Sequence, residues 1–258
     1  MSDTSLRPRR SKRGASKAAS KRGASGRRPS RALGVVGVLG ELLITAGVLV
    51  FLFLGWYFGV HDAQQRAEQN ETAAAMSDQW TVPKPTAAPE PEPAVVPAPE
   101  FGEGYAVLKV PRFGSDYATV IAEGAVLSVL EQHIGHFEGT AQPGEIGNFA
   151  VAGHRTTWGR PLNLIHELVP NDALVVETAD GWYTYRYRSG EIVKPQATDV
   201  LLPVPRQPGV EPTEAMITLV ACHPMFSARE RFIGYGALES FTPRVDGPPA
   251  SLAAPDGA

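Results

Sequence analysis

The chain has 258 residues, with 24 Lys or Arg, 27 Asp or Glu, a formal charge of −3 and one cysteine. A single cysteine excludes an intramolecular disulfide framework, and this length allows one or two domains. The small net charge hides a split: eleven basic residues and one acid, Asp3, precede Ala32, which leaves 13 of the basic and 26 of the acidic residues to the remainder, a charge of −13.

Residues 1–32 are a basic arm rich in Ser, Ala and Gly, without apolar periodicity, and are expected to be disordered. Nucleic-acid binding is one reading of such an arm. The next segment gives a better one. Residues 33–60 are almost wholly apolar and residues 42–60 carry no charge; at about 1.5 Å per residue these nineteen span roughly 28 Å, close to the hydrocarbon thickness of a bilayer. They read as one transmembrane helix, an uncleaved signal anchor, because the small-residue run Ala73-Ala74-Ala75 lies too far beyond the apolar segment for a cleavage site. The positive-inside rule keeps the arm cytoplasmic and places everything after Val60 outside, with the lipid bilayer as partner and no nucleic acid. Trp56 and Tyr57 stand where an outer aromatic belt belongs, and Glu41 marks the inner boundary.

Residues 61–100 divide into a polar stalk, helical or disordered, and a spacer with seven prolines between residues 82 and 99. Fully extended at about 3.1 Å per residue, the spacer would hold the next domain some 50 Å off the bilayer. The folded domain is expected over residues 101–242. Short β-favouring runs occupy residues 105–110, 118–122, 148–153, 173–178, 182–188, 191–194, 215–221 and 231–239, with Asp180-Gly181 a strong hairpin signal. Residues 126–133 and 161–168 are spaced for short helices, and residues 135–147 are turn-rich. Many short strands and few helices argue an all-β sandwich or barrel. Residues 243–258 are expected to be a disordered tail.

Cys222 ends the apolar run Thr218-Leu219-Val220-Ala221. An unpaired cysteine outside the membrane is an inert core thiol, a metal ligand or a nucleophile. His154 follows the apolar run Phe149-Ala150-Val151-Ala152 and Gly153, a residue that permits close backbone approach; it too is expected at a strand end. If the two strand ends are neighbours, they pair a nucleophile with a proton-transfer group. Arg231 lies where a hairpin from Cys222 returns, placed to bind an oxyanion, and Arg229 shares its face by period-two alternation. A metal site is not expected: His61, His133, His136, His166 and His223 lack ligand spacing, and His223, next to the cysteine, should point to the opposite face.

The segment from Thr218 to Cys222, with His154 upstream and Arg231 downstream, resembles the Cys, His and Arg triad of sortases, membrane-anchored cysteine transpeptidases with an eight-stranded β-barrel. Phe149-Ala150-Val151-Ala152-Gly153-His154-Arg155-Thr156-Thr157, together with Cys222-His223-Pro224 and Ser227-Ala228-Arg229-Glu230-Arg231, is similar to the class E enzymes of high-GC Gram-positive bacteria. The resemblance implies that Cys222 attacks the Thr-Gly bond of a C-terminal sorting signal on secreted proteins, of Leu-Ala-x-Thr-Gly or Leu-Pro-x-Thr-Gly type. It also implies His154 as proton-transfer group, Arg231 as oxyanion ligand, a peptidoglycan-precursor amine as acceptor and no cofactor. Ala221 departs from the threonine usual before the cysteine. A hydrolytic cysteine peptidase and a non-catalytic wall-binding β-domain are the alternatives.

Overall fold

The computed structural model describes residues 31–80 and 99–253. The basic arm up to Ser30, residues 81–98 of the spacer and the last five residues lie outside the described residues. The chain divides into two units, residues 1–50 and 51–258. The helix α1 (Arg31–Gly55) covers the apolar run and is long and apolar enough to cross a membrane. Its large side chains are exposed, Leu43 and Phe51 among them.

Eight strands make the second unit a closed barrel: β1 (Gly104–Lys109), β2 (Ala118–Glu123), β3 (Ile134–His136), β4 (Gly147–Gly153), β5 (Ala173–Glu177), β6 (Gly181–Val193), β7 (Ala215–His223) and β8 (Glu230–Pro243), in the order β1-β2-β3-β4-β7-β8-β6-β5. The pairs β2–β3 and β4–β7 are parallel. All seven residues of β4 are buried, because a strand with parallel and antiparallel neighbours and covered faces must be apolar on both. Tyr183, Tyr185 and Tyr187 of β6 point into the barrel core with Phe149, Leu219 and Ile217, so the tyrosines that alternate along this strand form its inner face.

Three elements differ from their sequence reading. The run at 126–133 yields a single turn, α3 (Leu127–Leu130), preceded by an extended Val126, since the chain must straighten at Ile134 to pair with β2. The run at 161–168 keeps only a 3-10 turn, Ile165–Glu167: Leu162 and Ile165 are fully buried in the barrel core, so their spacing serves packing instead of a helix. The strand β6 does not stop at Ser189-Gly190 but passes through a register shift between Tyr187 and Ser189. A side chain at Gly190 would come within 2.9 Å of the Ile233 carbonyl, so glycine here marks a bulge and not a strand end.

The stalk is a helix, α2 (Asp62–Trp80), laid on the barrel. Ala73 is fully buried against Val107 and Val120, Ser77 Oγ donates to Glu177 Oε2 at 2.9 Å and the Ala118 amide donates to Asn70 Oδ1 at 3.3 Å. Both flanks of the Pro-rich segment therefore belong to one unit; the segment expected as a spacer lies, over residues 81–98, outside the described residues. The segment expected as a tail beyond Thr242 is also tied down as far as Leu252. Arg244 lies 4.5 Å from the Trp182 ring and 5.4 Å from that of Trp80, donates to Glu177 Oε1 and to the Thr178 carbonyl, and Leu252 packs on Trp182. This cover explains why Trp182 and Thr184 are buried on the outer face of β6.

Candidate active site

Strand register assembles the site. Because β4 and β7 run parallel with Gly153 opposite Ala221, the next residues, His154 and Cys222, stand side by side just past the end of this ladder. Because β7 and β8 run antiparallel with Cys222 opposite Arg231, the arginine returns next to the cysteine. All three side chains line one cleft of about 320 Å³. Arg229 is exposed in the loop before β8, so register separates the two arginines that period-two alternation left equivalent.

The cleft is apolar along its length. Ala152, Val193, Val220 and Ile233 form its floor with Val200, and Leu130 and Phe137 flank it. One wall is the long connection between β6 and β7, which has little regular structure beyond the 3-10 turn Thr198–Leu201. Asn148 holds it: its buried side chain donates to the carbonyls of Val200 and Leu202, each at 3.1 Å, while its Oδ1 accepts from Thr218 Oγ1 at 2.6 Å. Such a network is worth keeping only when every member is satisfied. Sequence reasoning missed it, since the pattern that places Asn148 at the start of a buried strand does not show which loop its side chain reaches.

His154 is fixed by its backbone. Its carbonyl accepts from the Leu162 amide at 3.0 Å, and a Cβ on Gly153 would lie 2.9 Å from Leu162 Cγ, so only glycine lets Leu162 close over this strand end. Burial pushes the His154 imidazole below its ordinary pKa, opposed by the nearby charge of Glu131. Its Nε2 is buried and has no hydrogen-bond partner among the described residues.

Arg231 Nη1 donates to the carbonyls of Ala228 and Glu230, both at 2.9 Å, which ties the loop between β7 and β8 to its own strand. His223, expected to face away from Cys222, has a partner of its own: Arg155 Nη1 lies 2.8 Å from its Nδ1 and 3.4 Å from the Cys222 carbonyl. This pair also escaped sequence reasoning, which treated Arg155 only as part of a motif. The other histidines are dispersed. His136 is buried against Glu123 and His166 lies 4.0 Å from Glu167, and among the described residues no three His, Cys, Asp or Glu gather as a metal site requires.

A lone thiol, an imidazole with an open nitrogen and a guanidinium at one end of an apolar groove can perform acyl transfer. The comparisons with known proteins agree. Residues 108–239 match the model of the sortase domain. Sortase SrtE1 of Streptomyces coelicolor is 34% identical over 245 residues, which are 92% of this chain and 66% of that protein. Among solved structures, a SrtA sortase from Actinomyces oris is 36% identical, with a TM-score of 0.60 over 64% of this chain and 96% of its own. Sortase E1 from Streptomyces coelicolor with a tripeptide in the active site is 36% identical, with a TM-score of 0.55 over 58% of this chain and 97% of its own. The chain belongs to the sortase family of cysteine transpeptidases, nearest in character to its class E.

Proposed function

We propose that this protein is a membrane-anchored transpeptidase in which Cys222, His154 and Arg231 cleave a Leu-Ala-x-Thr-Gly sorting signal and transfer its threonyl end to a cell-wall amine. The observation that carries the reading is the double register, Gly153 with Ala221 and Cys222 with Arg231, which supports a single catalytic cluster drawn from three strands. The Cys222 thiolate attacks the Thr carbonyl carbon and the charge moves to an oxyanion near Arg231. As the C–N bond breaks, His154 delivers a proton to the departing glycine amine and the thioester remains. The acceptor amine then attacks the thioester, His154 takes its proton, and the C–S bond breaks to restore the thiolate. The apolar cleft supports an extended peptide with small or aliphatic side chains before the Thr. The apolar α1 supports anchoring, with the basic arm cytoplasmic and the barrel outside.

The test uses the full chain in detergent micelles with Leu-Ala-x-Thr-Gly and Leu-Pro-x-Thr-Gly peptides. Intact mass should show a threonyl thioester on the wild type and none on Cys222→Ala, and added amine should convert it to the amide product. Neither peptide acylating the wild type would overturn the reading, and a water product alone in the presence of amine would reduce it to a peptidase.

A further inference from the structure

The reaction above uses three side chains, yet the most enclosed cation beside Cys222 is a fourth. Arg155 is only 5% exposed. It leaves β4 directly after His154, and its Nη1 reaches across to β7, where it lies 2.8 Å from His223 Nδ1 and 3.4 Å from the Cys222 carbonyl oxygen. A guanidinium only donates, so His223 Nδ1 is an acceptor here and the proton of its ring sits on Nε2. Neither Arg155 nor His223 lines the cleft that holds His154, Cys222 and Arg231. The contact is therefore made behind the nucleophile, to its own carbonyl and to the side chain that follows it.

We propose that Arg155 is a positioning residue of the transpeptidation reaction: it ties the strand end that bears Cys222 to the strand end that bears His154. The inference rests on Cys222 as nucleophile and His154 as proton-transfer group. Two facts make the tie consequential. The last ladder pair between these strands is Gly153 with Ala221, so the two reacting residues lie just beyond the β4–β7 ladder, and on that side no pairing among the described residues aligns His154 with Cys222, which is paired only with Arg231 of β8. Arg231, the other arginine at the site, spends Nη1 on the carbonyls of Ala228 and Glu230, which braces β8 and the loop before it and leaves the β4–β7 gap to Arg155. Desolvating a guanidinium to this extent is expensive, more so because its Nε is buried without a partner, and the same two acceptors would be served by water at a looser strand end. Positioning errors of an ångström at a reacting pair cost on the order of 100-fold in rate, which is the scale on which a tie of this kind acts.

The experiment compares the full-length wild type with Arg155→Met, Arg155→Lys and His223→Phe, using the sorting peptide that acylates the wild type. Arg155→Met keeps the stem and removes the donors. Its kcat should fall about 10- to 100-fold with KM within about twofold, because the peptide groove is untouched. Arg155→Lys, which retains a donor, should recover most of the rate, a rescue that simple loss of packing would not give. His223→Phe, which removes one acceptor and leaves Arg155 in place, should give a smaller kcat loss, and it decides the matter if Arg155→Met fails to fold. Nitrogen-15 shifts of the His223 ring should report the Nε2–H tautomer in wild type and lose that preference in Arg155→Met. A folded Arg155→Met with wild-type kcat, or a loss confined to KM, overturns the inference. Absence of a thioester on the wild type is a different result and overturns the nucleophile reading instead.

Discussion

Two histidines one strand apart, His136 at the end of β3 and His154 just past β4, occupy opposite extremes of the same chemistry. His136 is fully buried, and both ring nitrogens are engaged: Nδ1 lies 2.8 Å from Glu123 Oε2, and Nε2 lies 2.8 Å from Thr140 Oγ1 and 3.1 Å from the Ala141 carbonyl. Its ring also packs at 5.0 Å against Phe149 and edge-on at 6.3 Å to Tyr105. His154 has a buried Nε2 with no partner among the described residues. Leaving a buried polar atom unpaired costs about 1–3 kcal/mol, and folds tolerate that chiefly where the atom is needed for something else. Saturation marks the histidine that holds the barrel together, and an open nitrogen marks the one available to a substrate.

The largest expected effect tests the open nitrogen. His154→Leu should lower kcat/KM by about 10²- to 10⁴-fold, the usual range for loss of a general acid–base, while the thermal midpoint stays level or rises, since a buried unpaired atom has been removed. Thermal scans and thioester formation on the same samples decide it. A His154→Leu protein that melts well below wild type would mean that the ring is structural after all.

The mirror experiment is His136→Phe. It strands Glu123, only 6% exposed, without its partner, and breaking a buried pair from one side costs about 3–5 kcal/mol. Unfolding should show that loss, with kcat per folded molecule within about twofold of wild type. The double variant Glu123→Leu with His136→Phe should recover much of the stability, because replacing both members of a buried pair by apolar groups is often neutral. Failure of the double variant to recover would show that Thr140 and Ala141, not Glu123, are the contacts that matter.

The contrast between these histidines also marks how far sequence reading reaches. A strand-end histidine behind glycine and a strand-end cysteine are visible locally, because each ends an apolar run, and the sortase-like order of His154, Cys222 and Arg231 supplied the barrel as an expectation. Their juxtaposition is not local: it depends on β4 and β7 pairing in parallel across the whole of β5 and β6. His136 was invisible as a core residue because β3 is three residues long within a turn-rich stretch and carries too little pattern to read. The pairing of Arg155 with His223 was hidden for a related reason. The alternation rule assigns a residue to a face, and it says nothing about what a neighbouring strand sends to that face. The docking of the stalk helix α2 through Ala73 and Ser77 was hidden because composition gives the polarity of a segment and not the surface it packs against.

The smallest effect is the most discriminating, because it reads the protonation of His154 without chemistry. Burial holds its native pKa below the ordinary value, with Glu131 working the other way, whereas the unfolded chain titrates near about 6.5. As pH falls below that value, the unfolded state takes up a proton that the native imidazole still refuses, so stability declines with falling pH. The decline ends once pH passes below the native midpoint, where both states are protonated. His133, also lowered by burial, contributes with the same sign, so wild type must be compared with His154→Leu, in which only the His154 contribution is gone. The thermal midpoint of wild type should fall more steeply between pH 7 and 5 than that of the variant, and the gap between the two curves should be small because His154 is only partly buried. Parallel curves would mean that His154 protonates as freely in the native state as in the unfolded chain. Its unpaired Nε2 would then be a nitrogen that water reaches, and the distinction from His136 would rest on position alone.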